Sequence, residues 1–283
     1  MFDAAIIGTG PAGLSAALNL KLHGKSLIWF GQKELSRKVE KSERIANYPG
    51  FLPASGEALN ALFTRQAEEM GLTITDKLVT LAARTENGFQ ILAENELYEA
   101  RTLLLAIGAV TGKGLPGEQQ LLGRGVSYCA TCDGFLYRGK RIAVVCADAR
   151  YEHEARYLAG LAGHTYFYPT YRDSAFTAQN VTRLLSPVAR ILGEGRVRAV
   201  NLTDGSEVAV DGVFLLRSAV APASLLPGLV LDGAHIAVGR SMETNLAGCF
   251  AAGDCTGRPY QIAKAVGEGC TAAHAMIDHL GEL

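Results

Sequence analysis

With 283 residues, 48% of them hydrophobic and 19% charged, the chain is long enough for one large or two ordinary domains and too apolar for disorder. A formal net charge of −1 excludes the basic face that nucleic acid or an anionic membrane would need, and no apolar run approaches the roughly 18 residues of a bilayer span. Six cysteines are too few for a disulfide scaffold, and 32 glycines, clustered at turns after apolar runs, punctuate the chain as an α/β nucleotide-binding fold does.

Met1 leads directly into an apolar strand, with no basic segment or cleavage site before it, so the expected location is the cytoplasm. That strand is Ala4-Ala5-Ile6-Ile7. Gly8-Thr9-Gly10-Pro11-Ala12-Gly13 follows, and Leu14 to Leu20 reads as a helix. G-x-G-x-x-G alone is weak, but between a strand and a helix it marks a dinucleotide-binding turn. Its glycines allow a tight turn and let backbone amides reach a pyrophosphate at the helix N-terminus. The second strand, Ser26 to Phe30, leads to Gly31-Gln32. The acidic residue that usually holds an adenosine ribose is missing there, and Glu34 comes late.

Lys33 to Ser42 is polar and basic, and Ile45-Ala46-Asn47-Tyr48-Pro49-Gly50-Phe51 reads as a turn approaching a site. Glu57 to Met70 has the spacing of an amphipathic helix. Leu72 to Thr75, Phe89 to Leu92 and Glu96 to Glu99 read as strands, and Leu103 to Ala109 as a buried strand ending in small residues.

Tyr128-Cys129-Ala130-Thr131-Cys132-Asp133-Gly134 is the stretch that carries chemistry. Two thiols separated by two residues can close a disulfide within one turn, or supply half of a zinc site. Zinc needs four ligands, and no second CxxC or His pair is present, so no metal is expected and redox chemistry is favoured. Asp133, directly after the second thiol, is placed to shuttle its proton.

Gly8 to Gly13, Asn47-Tyr48-Pro49-Gly50, Ala106-Ile107-Gly108, Cys129 to Asp133, Gly248 to Asp254 and Gln261-Ile262-Ala263 together resemble, in order and spacing, the low-molecular-weight thioredoxin reductase family. The resemblance covers almost the whole chain. It implies an α/β fold of two Rossmann-like, three-layer ββα nucleotide-binding-type domains, the second inserted into the first. Residues 1–112 with 241–283 would form an FAD domain. Residues 113–240 would carry the CxxC, with Thr111-Gly112-Lys113-Gly114 as the hinge.

The same resemblance implies FAD contacts from Gly8, Thr9, Gly10, Pro11, Ala12, Gly13, Gly31, Gln32, Ile45, Asn47 and Gly108. Gly253 and Asp254 would meet the ribityl chain or its phosphate, and the amides of Gln261, Ile262 and Ala263 the pyrimidine edge of the flavin. Cys132 would lie nearest the flavin, Cys129 would attack the substrate disulfide, and Asp133 would be the acid–base partner. Thioredoxin is the implied acceptor, and a homodimer the implied assembly.

The middle segment departs from the family pattern. After the strand Arg141 to Val145 a second G-x-G-x-x-[GA] is expected, and the chain has Cys146-Ala147-Asp148-Ala149-Arg150-Tyr151, then a helix from Glu152 to Leu161. Cys146 and Asp148 put side chains where backbone must approach a pyrophosphate, and Asp148 brings negative charge to the helix N-terminus. Tyr151 is too large for a close helix–strand contact. After the next strand, Tyr168-Pro169-Thr170-Tyr171-Arg172 replaces the family's His and paired arginines.

NADPH is therefore not expected. The chain resembles most the ferredoxin-dependent flavin thioredoxin reductases, which makes a ferredoxin the expected donor. Arg37, Lys38, Lys41 and Arg44 form a basic loop that either docks such an acidic partner or is simply solvated. Three other readings stay open: a flavin dithiol oxidase using oxygen, an NADPH-dependent reductase with an atypical site, and a flavin-binding sensor, which would not need Asp133.

Val181 to Leu185, Val188 to Leu192, Val197 to Leu202, Val208 to Val210 and Val213 to Leu216 read as further strands, and His153, His164 and His235 as isolated surface or helix-end residues. Arg240 to Gly248 is the expected return to the first domain. Cys249 to Asp254 is a strand ending in an acid, and Ala263 to Leu280 a long helix, small along Ala265, Ala272 and Ala273. Cys249 and Cys255 are either a second redox pair or, as their spacing favours, buried thiols. Cys146 and Cys270 read as packed thiols.

Overall fold

The computed structural model describes residues 1–33, 35–109, 114–118, 120–128, 130–217 and 221–282, with only the backbone of Arg37, Cys132 and Glu282. The chain divides into two compact units, Met1–Thr111 with Ala221–Leu283, and Gly112–Val220.

The first unit opens with β1 (Phe2–Ile7), α1 (Pro11–Leu22), β2 (Leu27–Phe30), α2 (Arg37–Glu40), α3 (Gly56–Glu69), β3 (Val79–Thr85), β4 (Gly88–Ala93) and β5 (Glu96–Leu105). β1 lies between β2 and β5, parallel to both, with Ala4 opposite Leu27 and Thr102. A central parallel strand is covered on both faces, which is why Ala4 to Ile7 are apolar without alternation and buried. β5, β4 and β3 continue the sheet as an antiparallel meander. α3 starts at Ser55, whose hydroxyl accepts from the Ala58 amide at 3.2 Å and caps the helix.

Two strand expectations are corrected here. Leu72 to Thr75 forms no strand; Thr75 makes one bridge to Phe30, its amide donating to the Trp29 carbonyl at 2.7 Å. The strand of this region is β3, whose half-exposed residues blur an apolar period. β5 is continuous through Glu96–Leu105, because Arg101 in its middle pairs with Asp3 at 3.5 Å and does not end the strand.

The second unit contains β6 (Val126–Ser127), α4 (Ala130–Asp133), β7 (Arg141–Cys146), α5 (Glu152–Leu161), β8 (His164–Pro169), β9 (Val181–Arg183), β10 (Val188–Leu192), β11 (Ala199–Leu202), β12 (Glu207–Ala209) and β13 (Gly212–Leu216). Strands run β6-β13-β7-β8-β9 in one parallel sheet and β10-β11-β12 in a separate antiparallel sheet. Ala155 and Leu158 of α5 are buried in one core with Val144, Phe167 and Phe214 of the parallel sheet.

The chain then returns through α6 (Pro222–Leu225), β14 (Leu231–Asp232), β15 (His235–Ile236), β16 (Cys249–Ala251) and α7 (Ile262–Glu282). α6 contacts β3, and β15 contacts the turn at Asp254–Thr256, so residues 221–240 group with the first unit, ahead of the return expected at Arg240. β16 pairs parallel with β5. α7 packs against α1: a Cβ on Gly269 would meet the Ala12 carbonyl oxygen at 2.2 Å, and the Ser15 hydroxyl donates to the Val266 carbonyl at 2.8 Å. Ala265, Ala272 and Ala273 are buried, as the small face of this helix required. Among the described residues, no helix is long and apolar enough to cross a membrane.

Candidate active site

The β1–α1 turn has the shape of an anion cradle. Gly8 has φ +116, and a Cβ there would stand 2.1 Å from the Ala106 carbonyl oxygen, so the turn needs glycine twice over. A Cβ on Gly13 would meet the Gly8 oxygen at 2.0 Å, and that oxygen also accepts from Trp29 Nε1 at 2.8 Å. Gly10, the N-cap of α1, faces open space and makes no side-chain cap; Pro11 begins the helix, and Thr9 is buried against Gly31. The first-turn amides, Ala12 and Gly13 among them, are left for an anion.

The other expected cofactor residues lie in the same unit. Gly253 approaches Ala12, a Cβ on it standing 3.0 Å from the Ala12 Cβ. Asn47 Nδ2 donates to Gln261 Oε1 at 2.9 Å, joining the loop after α2 to the start of α7 at Ile262 and Ala263. Ile45 is buried and pairs its backbone with Ala54. Gly108 follows the Ala106 amide, which donates to the Ile7 carbonyl at 2.8 Å. Gln32 is half-buried just beyond Gly31, and Glu34 lies outside the described residues.

Asp254 is held by Lys38. Lys38 Nζ donates to its carboxylate at 2.5 Å and stands 5.1 Å from the Tyr260 ring centroid, where Arg258 stacks as well. Lys38 of the basic loop is therefore bound within its own unit, while Lys41 and Arg44 are exposed. In the chain on either side of Asp254, the Gly253 and Gly257 carbonyls accept from Lys264 Nζ at 2.9 Å each, and Lys264 also donates to Glu268 Oε2 at 3.0 Å. Glu268 in turn accepts from the Gly253 amide at 2.8 Å. Sequence reasoning missed this pair. Its only signal is an i,i+4 Lys–Glu spacing in α7, which more often marks a solvated face.

In the second unit, Cys129 lies outside the described residues, and Cys132 is placed by its backbone on α4. Asp133, the last residue of α4, is half-buried. The chain behind it forms a single 3-10 turn, Gly134–Tyr137, that packs on α5.

The second glycine-motif position is filled from inside. Asp148 Oδ1 accepts from the Arg150 amide at 3.1 Å, capping the turn Ala149–Tyr151, and the Arg150 guanidinium lies 4.7 Å from the Tyr151 ring centroid. The buried Cys146 thiol donates to the Asp148 carbonyl at 3.3 Å, and burial pushes its pKa up to about 11. Beyond β8, the Tyr171 and Ser174 hydroxyls each donate to Glu152 Oε1 at 2.6 Å. Burial pushes the Glu152 carboxyl up, and those hydrogen bonds with the Arg156 and Arg183 charges outweigh it, holding the group below its ordinary value.

The remaining thiols form no disulfide. Cys249 and Cys255 are free and buried, and burial pushes both pKa values up to about 12; Cys146 is free and buried too, and Cys270 is half-buried. His153, His164 and His235 bond to the Arg150 carbonyl, the Thr182 hydroxyl and the Tyr260 hydroxyl in turn. Among the described residues no cluster of metal-ligating side chains occurs.

Residues 2–147 and 170–269 match the pyridine nucleotide-disulphide oxidoreductases. The chain is 31% identical to a thioredoxin reductase of Treponema pallidum, covering 100% of this chain and 98% of that one. The chain belongs to this family, among its thioredoxin reductases. It is a flavin disulfide oxidoreductase, and the family implies FAD. The open Gly10 face and uncapped α1 fit the pyrophosphate of that group. A solved ferredoxin-flavin thioredoxin reductase from Clostridium acetobutylicum is 40% identical with a TM-score of 0.92, covering 99% of this chain and 98% of that one. A thioredoxin reductase from Gloeobacter violaceus is 29% identical with a TM-score of 0.79, covering 99% and 94%. The family match lapses over residues 148–169, which hold Asp148, Tyr151 and Glu152.

Proposed function

We propose that the chain is an FAD-dependent thioredoxin-disulfide reductase that takes its electrons from a reduced ferredoxin and not from NADPH. The observation that carries this reading is the Asp148 cap, which fills from within the turn between β7 and α5 where a second pyrophosphate would bind. The Glu152–Tyr171–Ser174 cluster supports it, as do the lapse of the family match over residues 148–169 and the likeness to the clostridial ferredoxin-flavin enzyme. Thioredoxin as acceptor is supported by the names of the relatives.

FAD, when bound, collects electrons singly and releases them in pairs. In this reading the unit of residues 1–111 and 221–283 holds it. The Gly8–Gly13 turn and the start of α1 bind the pyrophosphate, and Asp254 and the Asn47–Gln261 pair orient the remainder. Two electrons and two protons convert the Cys129–Cys132 disulfide to two thiols. The Cys129 thiolate attacks the thioredoxin disulfide, forming a mixed disulfide and releasing one thiol. Cys132 then attacks the Cys129 sulfur, releasing the second thiol and restoring the internal disulfide. Asp133 holds the proton at the Cys132 sulfur. A homodimer belongs to the same reading, supported by Leu22 and Leu62 of the first unit, 70% and 53% exposed; light scattering measures it.

The test is anaerobic. The flavin absorbance of the purified enzyme is followed while NADPH, NADH or reduced ferredoxin is added with thioredoxin. Rapid bleaching by ferredoxin alone, with thiols appearing on thioredoxin, is the expected result. Rapid bleaching by NADPH overturns the donor assignment. Bleaching by a dithiol alone, reversed by air, replaces the reductase with an oxidase.

A further inference from the structure

One buried charged cluster of the second unit has no part in the chemistry above. Glu118 is 1% exposed. Its Oε1 accepts from the Tyr128 hydroxyl at 2.5 Å and from Arg217 Nη2, and its Oε2 accepts from the Leu115 amide at 2.7 Å. The Arg217 guanidinium also lies 5.1 Å from the centroid of the Tyr128 ring, and among the described residues its Nε has no partner. Gly114 makes room for the carboxylate: a Cβ there would stand 2.9 Å from Oε2. Burying a carboxylate this deeply is costly unless every lone pair is engaged, and here a cation, a phenol and an amide engage it.

The placement of the three side chains is specific. Tyr128 directly follows β6 and Arg217 directly follows β13, and these strands are parallel neighbours, with Val126 opposite Val213 and Ser127 opposite Phe214. Both side chains therefore leave the C-terminal edge of the parallel sheet, the edge at which such folds place their chemistry. Leu115 and Glu118 begin the unit just after the first connection between units, and Arg217 is the last described residue before the second. Tyr128 is the residue before Cys129. One buried carboxylate thus ties together the chain entering the unit, the chain leaving it and the residue that precedes Cys129 in the sequence.

We propose that Glu118 is a positioning residue that acts through Tyr128, with Arg217 as its counter-charge, to hold the Cys129 segment in the geometry that favours the closed Cys129–Cys132 disulfide. The proposal rests on the reading of those two cysteines as the redox pair. A chain tethered one residue before a thiol has fewer arrangements that separate it from its partner, so the disulfide is favoured over the dithiol. Releasing the tether shifts the balance toward the dithiol without touching either sulfur.

The test uses the FAD-loaded enzyme in anaerobic glutathione buffers, with the thiols counted by alkylation and mass. The disulfide and two glutathione thiols give two protein thiols and one glutathione disulfide, so electrons and protons balance without any other donor. Tyr128→Phe keeps the ring and removes one hydrogen bond to a charged acceptor. It is expected to move the equilibrium toward the dithiol about three- to tenfold, and Glu118→Gln at least as far. Arg217→Lys, which keeps the charge, is expected to fall between wild type and Arg217→Met. Wild-type equilibria in Tyr128→Phe and Glu118→Gln, with only a lower melting temperature in the latter, would show a structural role alone and overturn the proposal. If Glu118→Gln does not fold, Tyr128→Phe decides. If Cys129 and Cys132 of the wild type do not exchange with glutathione at all, the redox-pair reading fails and this inference falls with it, a result distinct from a variant that matches an exchanging wild type.

Discussion

Replacing Gly10 and Gly13 by alanine, one at a time, separates folding from cofactor binding within a single turn. At Gly13 the added Cβ would lie 2.0 Å from the Gly8 carbonyl oxygen. Comfortable contact is about 3.5 Å, so backbone must move by more than 1 Å against the Trp29 hydrogen bond. Overpacking of this kind costs about 1–3 kcal/mol. At Gly10 the Cβ meets nothing within 4 Å, and the residue has φ −76 and ψ 179, a conformation alanine adopts freely. Alanine there gains about 0.4–1 kcal/mol by restricting the unfolded chain, and loses a similar amount as a poorer N-cap. The FAD-free protein should therefore keep its stability. Its new methyl instead stands where backbone must approach the pyrophosphate, so FAD affinity should fall by roughly tenfold or more, about 1.4 kcal/mol. Urea unfolding of the FAD-free proteins measures the first quantity, and fluorescence titration with FAD measures the second. Unchanged FAD affinity in Gly10→Ala, or unchanged stability of FAD-free Gly13→Ala, would refute the assignment of these glycines.

Asp148→Ala should lower stability by about 0.5–2 kcal/mol through loss of the cap, read by urea unfolding, and should still leave the flavin unbleached by NADPH, since Glu152 and Tyr171 remain. Lys264→Met strips four acceptors of one ammonium and leaves Glu268 half-buried without a cation. It should destabilise the protein by about 1–3 kcal/mol and weaken FAD binding, whereas Lys38→Met, which removes a largely exposed ammonium, should change stability by less than about 1 kcal/mol. The Cys249 and Cys255 thiols are raised from 9.0 to about 12 in the folded protein. The native state thus holds more protons than the unfolded state between those values. Their stabilising contribution is complete below pH 9.0 and lost as pH rises toward about 12, each thiol removing about 1.4 kcal/mol per pH unit. Urea melts across that window should show the fall, and Cys255→Ala should flatten it.

The legible parts of this molecule were those carried by contiguous residues. The β1–α1 turn, α7 with its small face, and the lost second glycine motif could be read because turn and helix chemistry is local. The Leu72 to Thr75 strand was misplaced because a short apolar alternation also suits a loop that bridges a sheet edge once. β3 escaped notice because tertiary pairing with β4, and not its own pattern, makes it a strand. The return at Ala221 was read late because α6 and the β14–β15 hairpin declare their unit only through what they touch.

By itself, the sequence determined the family and the α/β class, since the glycine turn and the helix and strand patterns that carry them are local. Only the tertiary structure decided that Lys38 is spent on Asp254, that Asn47 meets Gln261 and that Glu118 meets Arg217, across 216, 214 and 99 residues of chain. Such pairs are set by which loops and element ends the tertiary fold brings together, and no periodicity along one segment records them.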